Sequence, residues 1–289
     1  MDKKDTFRKH GGGKVSRREF LQKSALMAGS AVATNALGNF LGSAPAFASQ
    51  VDANDPALIS ADVKYPSVDG VGLSGYLTRP KGDDKRPAVL VVHGWNGIDE
   101  HIRDVARRLA KAGYAALVPD LLSRQGGTSA FSSSEAAIAA GRKLDDETIT
   151  KDLAGAASFL KGQNFIRADR VGVTGFCWGG GKALMFTTRS KDLAASVIYY
   201  GVNPQNLEDV KNITAPVLGH YGGADERITP GVPPLDAAMK KYGKSFEYKI
   251  YPGAPHSFNT DTSPSSYREE AAKEAWDRTL GFFKKHLQS

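Results

Sequence analysis

The stretch that most restricts this chain runs Val171-Gly-Val-Thr-Gly175-Phe-Cys177-Trp-Gly179-Gly-Gly-Lys182. A β-branched run ends at Gly175, and the chain's only cysteine follows two residues later. Three glycines come next, and Lys182-Ala-Leu-Met-Phe-Thr-Thr continues with helical apolar spacing. The pattern predicts strand, tight turn, helix, with Cys177 at the turn. Glycines two before and two after the cysteine let strand and helix pass where a Cβ would collide, and the residue between them takes strained backbone geometry. The helix start then aims its free N–H groups and dipole at the sulfur, which predicts a lowered thiol pKa and a reactive thiolate. Two plainer readings stand beside this one. A lone cysteine is often a small buried apolar side chain, and a glycine-rich turn into a helix can cradle phosphate.

The N-terminal 48 residues differ from the rest. Ser16-Arg17-Arg18-Glu19-Phe20-Leu21 leads into Ala25-Leu-Met-Ala-Gly-Ser-Ala-Val-Ala and then Ala46-Phe47-Ala48. A basic region, a mildly apolar stretch and an Ala-x-Ala end are the parts of a secretory signal, and the paired arginines match the twin-arginine export pattern. The apolar part is too short and too rich in small residues for a stable membrane anchor. The expectation is cleavage after Ala48, export by the twin-arginine machinery, and a periplasmic or secreted mature protein over residues 49–289. His10-Gly11-Gly12-Gly13 copies an oxyanion-hole motif by letter, but it would leave with the signal.

Of the formal charge of +7, the first 48 residues hold +5, from eight Lys/Arg against three acids, leaving +2 for the remainder. No basic stripe with interleaved aromatics occurs, so nucleic acid is not an expected partner. One cysteine excludes an intramolecular disulfide. The six histidines form no His-x-x-x-His or Cys/His cluster, so neither a metal nor another cofactor is expected.

Along the chain, Val63–Val68 and Val71–Leu77 alternate around Asp69-Gly70, which predicts a hairpin. Ala88-Val-Leu-Val-Val92 is continuously apolar, as a strand buried on both faces must be. Helical spacing covers Ile102–Ala112, Asp146–Leu160, Pro234–Tyr242 and Tyr267–Leu287. Further strands are expected at Tyr114–Val118, Val171–Thr174, Ala195–Tyr200, Val217–Tyr221 and Phe246–Tyr251. Residues 120–146 read as a long irregular stretch, which in a compact domain is often a lid or binding segment. Strands alternating with helices in this way predict one α/β domain: a mostly parallel, doubly wound sheet with helices on both faces.

The turn at Cys177 fits the nucleophile elbow of α/β-hydrolases, with Cys where Ser is commoner. In that fold the acid and then the base follow the nucleophile. Val217-Leu-Gly-His-Tyr-Gly-Gly-Ala-Asp225 supplies the acid, and Tyr251-Pro-Gly-Ala-Pro-His256 supplies the base. His256 would take the thiol proton and Asp225 would fix its tautomer. Either could instead be an ordinary loop residue, Asp225 capping a turn and His256 lying on the surface. The oxyanion donors would be the N–H of Trp178, directly after the nucleophile, and that of Trp95 in the loop after Val92. His93 and Tyr200 complete the candidate pocket.

With these residues placed, Tyr65 to His286 resembles the dienelactone hydrolase family (carboxymethylenebutenolidases). The resemblance lies in Gly-Phe-Cys177-Trp-Gly-Gly, Pro119-Asp-Leu-Leu-Ser-Arg-Gln, Tyr199-Tyr-Gly, Gly223-Ala-Asp225 and His256-Ser-Phe. It implies a single α/β-hydrolase domain, a Cys-His-Asp triad, and cleavage of lactones or small esters through a thioester without a cofactor. Two positions depart from the family pattern. Gly94 stands where a glutamate helps switch the cysteine to its thiolate, and Thr260 stands where an arginine grips the substrate carboxylate. The resemblance implies a second carboxylate-binding arginine in the loop before the central helix, and Arg142, in that neighbourhood, is the pocket candidate for it. With Gly94 and Thr260 at those positions, a neutral ester or lactone is the expected substrate. The rivals are a peptidase on the same triad, a binding protein that kept the fold, and a thiol redox protein, for which no resolving cysteine is present.

Overall fold

The computed structural model describes residues 49–289; the expected export signal and its cleavage point lie outside them. Eight strands form one sheet in the order β1-β2-β4-β3-β5-β6-β7-β8. They are β1 (Leu58–Pro66), β2 (Gly72–Pro80), β3 (Arg86–Val92), β4 (Ala115–Pro119), β5 (Ile166–Phe176), β6 (Ala195–Tyr199), β7 (Val217–Gly222) and β8 (Phe246–Tyr251). The β1–β2 hairpin is antiparallel and joins β4 antiparallel, and every pair from β4 through β8 is parallel. This is the α/β-hydrolase fold.

Six α-helices cover the sheet: α1 (Glu100–Lys111), α2 (Ser134–Gly141), α3 (Asp146–Lys161), α4 (Trp178–Arg189), α5 (Val232–Lys241) and α6 (Glu269–Phe283). The central strand β3 shows why both faces need cover. Ala88, Leu90 and Val92 pack in a cluster with residues of α3, α4 and α5. Val89 and Val91, pointing the other way, pack in a cluster with residues of α1 and α6. All five are fully buried, so alternation of side chains along an apolar run creates two cores from one strand.

Two stretches differ from expectation. Residues 120–146 are not irregular throughout: α2 lies inside them, started by Ser133 accepting from the Ala136 N–H. The helix is short and alanine-rich, so its sequence carries little amphipathic signal. Strand β5 reaches from Ile166 to Phe176, well beyond the expected Val171–Thr174. Among the described residues no helix is long and apolar enough to cross a membrane.

The segment after residue 48 lies along α1. Asp104 accepts from the Val51 N–H at 2.8 Å, and the fully buried Arg107 donates from Nε to Val51 O at 2.8 Å.

Candidate active site

The segments at the carboxyl ends of β3, β5, β6 and β8 meet over one cavity, where ligands of open α/β sheets bind. Cys177 sits at the end of β5 with φ 57° and ψ −121°, immediately before α4. Its N–H donates to Tyr199 O on β6 at 3.1 Å, which pins the turn to the neighbouring strand. The glycines are required by contact. A Cβ on Gly175 would lie 2.2 Å from Gly179 O, and one on Gly179 would lie 2.2 Å from His93 O and 2.3 Å from Val92 O.

The electrostatics of the sulfur reverse one expectation. Burial pushes the Cys177 thiol above its ordinary 9.0, with the Asp225 carboxylate adding to the rise. The Trp178 N–H and the charge of Arg227 pull it down, but by less. The helix start does act on the sulfur; desolvation outweighs it. In the ligand-free protein, thiolate absorbance near 240 nm, measured against Cys177→Ala, is expected to appear only above pH 9. A thiolate already present at pH 7 would show that the helix start dominates.

His256 and Asp225 are brought together as the sequence suggested. His256 Nδ1 lies 2.5 Å from Asp225 Oδ2, and Asp225 Oδ1 accepts from the Ile228 N–H at 3.2 Å. Their loops approach closely because of Gly222, whose absent Cβ would stand 2.4 Å from Ala254 O and 2.6 Å from Pro255 O. With Asp225 accepting, the Nδ1 proton is fixed and Nε2 carries the lone pair. That Nε2 is buried and makes no hydrogen bond, so the imidazole and the Cys177 thiol are not hydrogen-bonded in this resting arrangement.

The cavity beside Cys177 measures about 310 Å³, and its walls include Trp95, Asp99, His101, Ile138, Tyr200 and Thr260. The Trp95 and Trp178 rings stack at 4.7 Å and 23°. The Trp95 N–H has no protein acceptor among the described residues, and the Trp178 N–H reaches the cysteine sulfur. Among the described residues three non-glycine residues have positive φ: Cys177 (57°), Tyr200 (38°) and Ser257 (62°). All three line this cavity, which is where strained backbone collects when a site has to hold groups in fixed positions.

Two pocket candidates are corrected. His93 does not line the cavity: it is fully buried, its Nε2 accepts from the Leu121 N–H at 3.0 Å and its Nδ1 donates to Gly94 O at 2.6 Å. It fixes the loop that carries Trp95. Arg142 is exposed at the end of α2, and that helix gives the cavity Ile138 instead. Sequence reasoning missed Arg227, two residues after Asp225, whose charge reaches the thiol. It also missed His101 and Asp99 in the cavity wall. No lysine or arginine is among the lining residues. Gly94 and Thr260 do face the cavity, and a Cβ at 94 would lie 3.9 Å from that of Cys177. Among the described residues no cluster of His, Cys, Asp and Glu could hold a metal ion.

Comparison with known proteins follows the same lines. Residues 73–287 match the model of the dienelactone hydrolase family. A protein of Methylorubrum extorquens named as a carboxymethylenebutenolidase is 37% identical over 81% of this chain and 83% of its own. A Bradyrhizobium protein named as a 2-oxo-3-(5-oxofuran-2-ylidene)propanoate lactonase is 36% identical over 73% and 89%. A crystal structure of a Klebsiella pneumoniae protein described as a dienelactone hydrolase superposes with TM-score 0.73 at 33% identity, covering 79% of this chain and 99% of that one.

Proposed function

The chain belongs to the dienelactone hydrolase family, and from that membership we propose an exported, cysteine-dependent hydrolase of neutral lactones or small esters. The observation that carries the chemistry is the His256–Asp225 pair. A carboxylate holds Nδ1, and Nε2 is left without a partner at the strand end beside the Cys177 elbow. Substrate choice rests on the cavity wall, whose lining includes no lysine or arginine to grip a carboxylate; Arg227 acts on the thiol from outside that lining. The named substrate of the Bradyrhizobium lactonase carries a carboxylate.

In this reading the resting thiol is neutral. His256 Nε2 takes its proton as sulfur attacks the acyl carbon, and Asp225 stabilises the imidazolium. The Trp178 and Trp95 N–H groups receive the developing oxyanion. The imidazolium then protonates the departing alkoxide, leaving a thioester on Cys177. Water, deprotonated by His256, attacks the thioester, and the thiol returns with the acid product. An ester suits a thiol nucleophile better than an amide does, because alkoxide leaves more readily than amine. That weighs against the peptidase reading. Export rests on the Arg17-Arg18 signal and the Ala-x-Ala end at Ala48.

The test is the mature protein and Cys177→Ala on short p-nitrophenyl esters, neutral lactones and a dienelactone. Turnover of the neutral substrates by the first protein alone, with an acyl adduct on Cys177 in mass spectra, is the expected result. The exported product should begin at Ser49. Equal rates in both proteins would remove the nucleophile, an oxygen adduct would favour the redox reading, and silence with retained ligand binding would favour the binding-protein one.

A further inference from the structure

The histidine of the cavity wall, His101, is supported in the same manner as His256. His101 lies in the first turn of α1 and is 5% exposed. Its Nδ1 is 3.1 Å from Asp261 Oδ1. Asp261 is held in turn by Arg108, which donates to Oδ2, and by Gln50, whose Nε2 donates to Oδ2 at 3.0 Å. Burial pushes the Asp261 carboxyl up, but the His101 bond and the Arg108 charge take it down to about 2. An ionised carboxylate only accepts, so neutral His101 carries its proton on Nδ1 and a lone pair on Nε2.

That Nε2 is buried and has no hydrogen-bond partner. Such an atom calls for an explanation. His101 lines the cavity and Asp261 does not, so the Nδ1 edge of the ring is turned to the rear. The site of attack is close by. Phe176, the residue before Cys177, packs edge-on against the His101 ring with centroids 6.3 Å apart. The other polar groups of the wall (Asn96, Asp99, Ser257, Thr260, Ser263) are amides, hydroxyls and one carboxylate. This wall suits a neutral molecule that brings its own O–H donors.

We propose that His101 Nε2 accepts a hydrogen bond from a hydroxyl group of the substrate, so that the site selects hydroxylated neutral lactones or esters over their unsubstituted analogues. This rests on the hydrolase reading above. Asp261 is then a positioning residue, keeping the Nε2 lone pair available.

The experiment compares matched pairs: γ-butyrolactone with its α- and β-hydroxy derivatives, and phenyl acetate with the three hydroxyphenyl acetates. Wild type, His101→Phe and Asp261→Asn are assayed, with melting temperatures recorded. Wild type is expected to prefer at least one hydroxylated member. His101→Phe should lower kcat/KM for that member by about tenfold, mostly through KM, the loss expected for one hydrogen bond. The unsubstituted partner should change by no more than about twofold, and Asp261→Asn should move the ratio the same way. An equal loss within every pair, no loss at all, or no wild-type preference would overturn the assignment. Calorimetry on Cys177→Ala, with and without His101→Phe or Asp261→Asn, reads the same preference without turnover. A hydroxyl preference that disappears with either change, in a protein that hydrolyses nothing, would sink the hydrolase reading and keep His101. Normal hydrolysis with no such preference would do the reverse.

Discussion

His256→Ala is expected to lower kcat/KM for neutral esters by about 10³- to 10⁴-fold, the range for loss of a positioned general base. The residue is the only one placed to take the Cys177 proton in the proposed mechanism, and the buried thiol does not ionise readily by itself. Asp225→Asn should lose activity on nearly the same scale for a different reason. An asparagine amide can donate to Nδ1, which moves the ring proton to Nε2 and removes the lone pair. Stability separates the two variants. Alanine at 256 leaves the buried Asp225 with the Ile228 N–H as its remaining partner, at a cost of about 1–3 kcal/mol. Asparagine at 225 keeps its neighbours and should melt close to wild type. Stopped-flow release of p-nitrophenol and thermal unfolding on the same samples check both. Asp225→Asn with more than a tenth of the native rate would remove the tautomer role.

Gly179→Ala should destabilise the fold by more than about 4 kcal/mol, a loss of the size reserved for overpacking against atoms that cannot move. The added carbon would meet the carbonyl oxygens of Val92 and His93 at 2.3 and 2.2 Å. Both are backbone at the end of β3, so relief requires α4 to lift from the central strand. Set against the roughly 5–15 kcal/mol that holds a domain together, this predicts insoluble protein or a much lower denaturation midpoint. Gly94→Ala is the control. Its nearest contacts, 3.7 Å to Phe176 O and 3.9 Å to the Cys177 Cβ, are ordinary, and its effect should stay within about 1 kcal/mol. Equal urea midpoints for the two variants would mean that the crossing at Cys177 is looser than described.

Much of this was legible in the sequence, for local reasons. Gly175 and Gly179 mark the elbow because only glycine survives the crossing, and Ala88–Val92 reads as a central strand because neither face tolerates a polar residue. The acid and base loops carry glycine and proline at the points where Gly222 must pass Ala254 and Pro255. What escaped was of two kinds. Helix α2 is short and its alanines mark no face, so residues 120–146 looked irregular. The pairing of His101 with Asp261 joins residues 160 positions apart, and nothing local in Asp99-Glu-His-Ile or Asn259-Thr-Asp announces it. His93 misled for a similar reason: a histidine at a strand end resembles a site residue until its two nitrogens are found occupied by Gly94 and Leu121. The thiol pKa was misjudged because the sequence displays the helix start but not the depth at which the sulfur lies.

The left-handed residues Cys177, Tyr200 and Ser257 belong to three separate segments yet border one cavity. Each conformation costs about 1–3 kcal/mol, held in place by the intact sheet. For protein engineering this means that heat tolerance and turnover draw on the same positions. A library screened for melting temperature alone is rewarded for relaxing them, with glycine at 257 the simplest route, and the loop that aims His256 is then free to drift. Breeding a hardier enzyme from this scaffold starts by keeping those three codons fixed and looking for gains in the helices far from the strand ends.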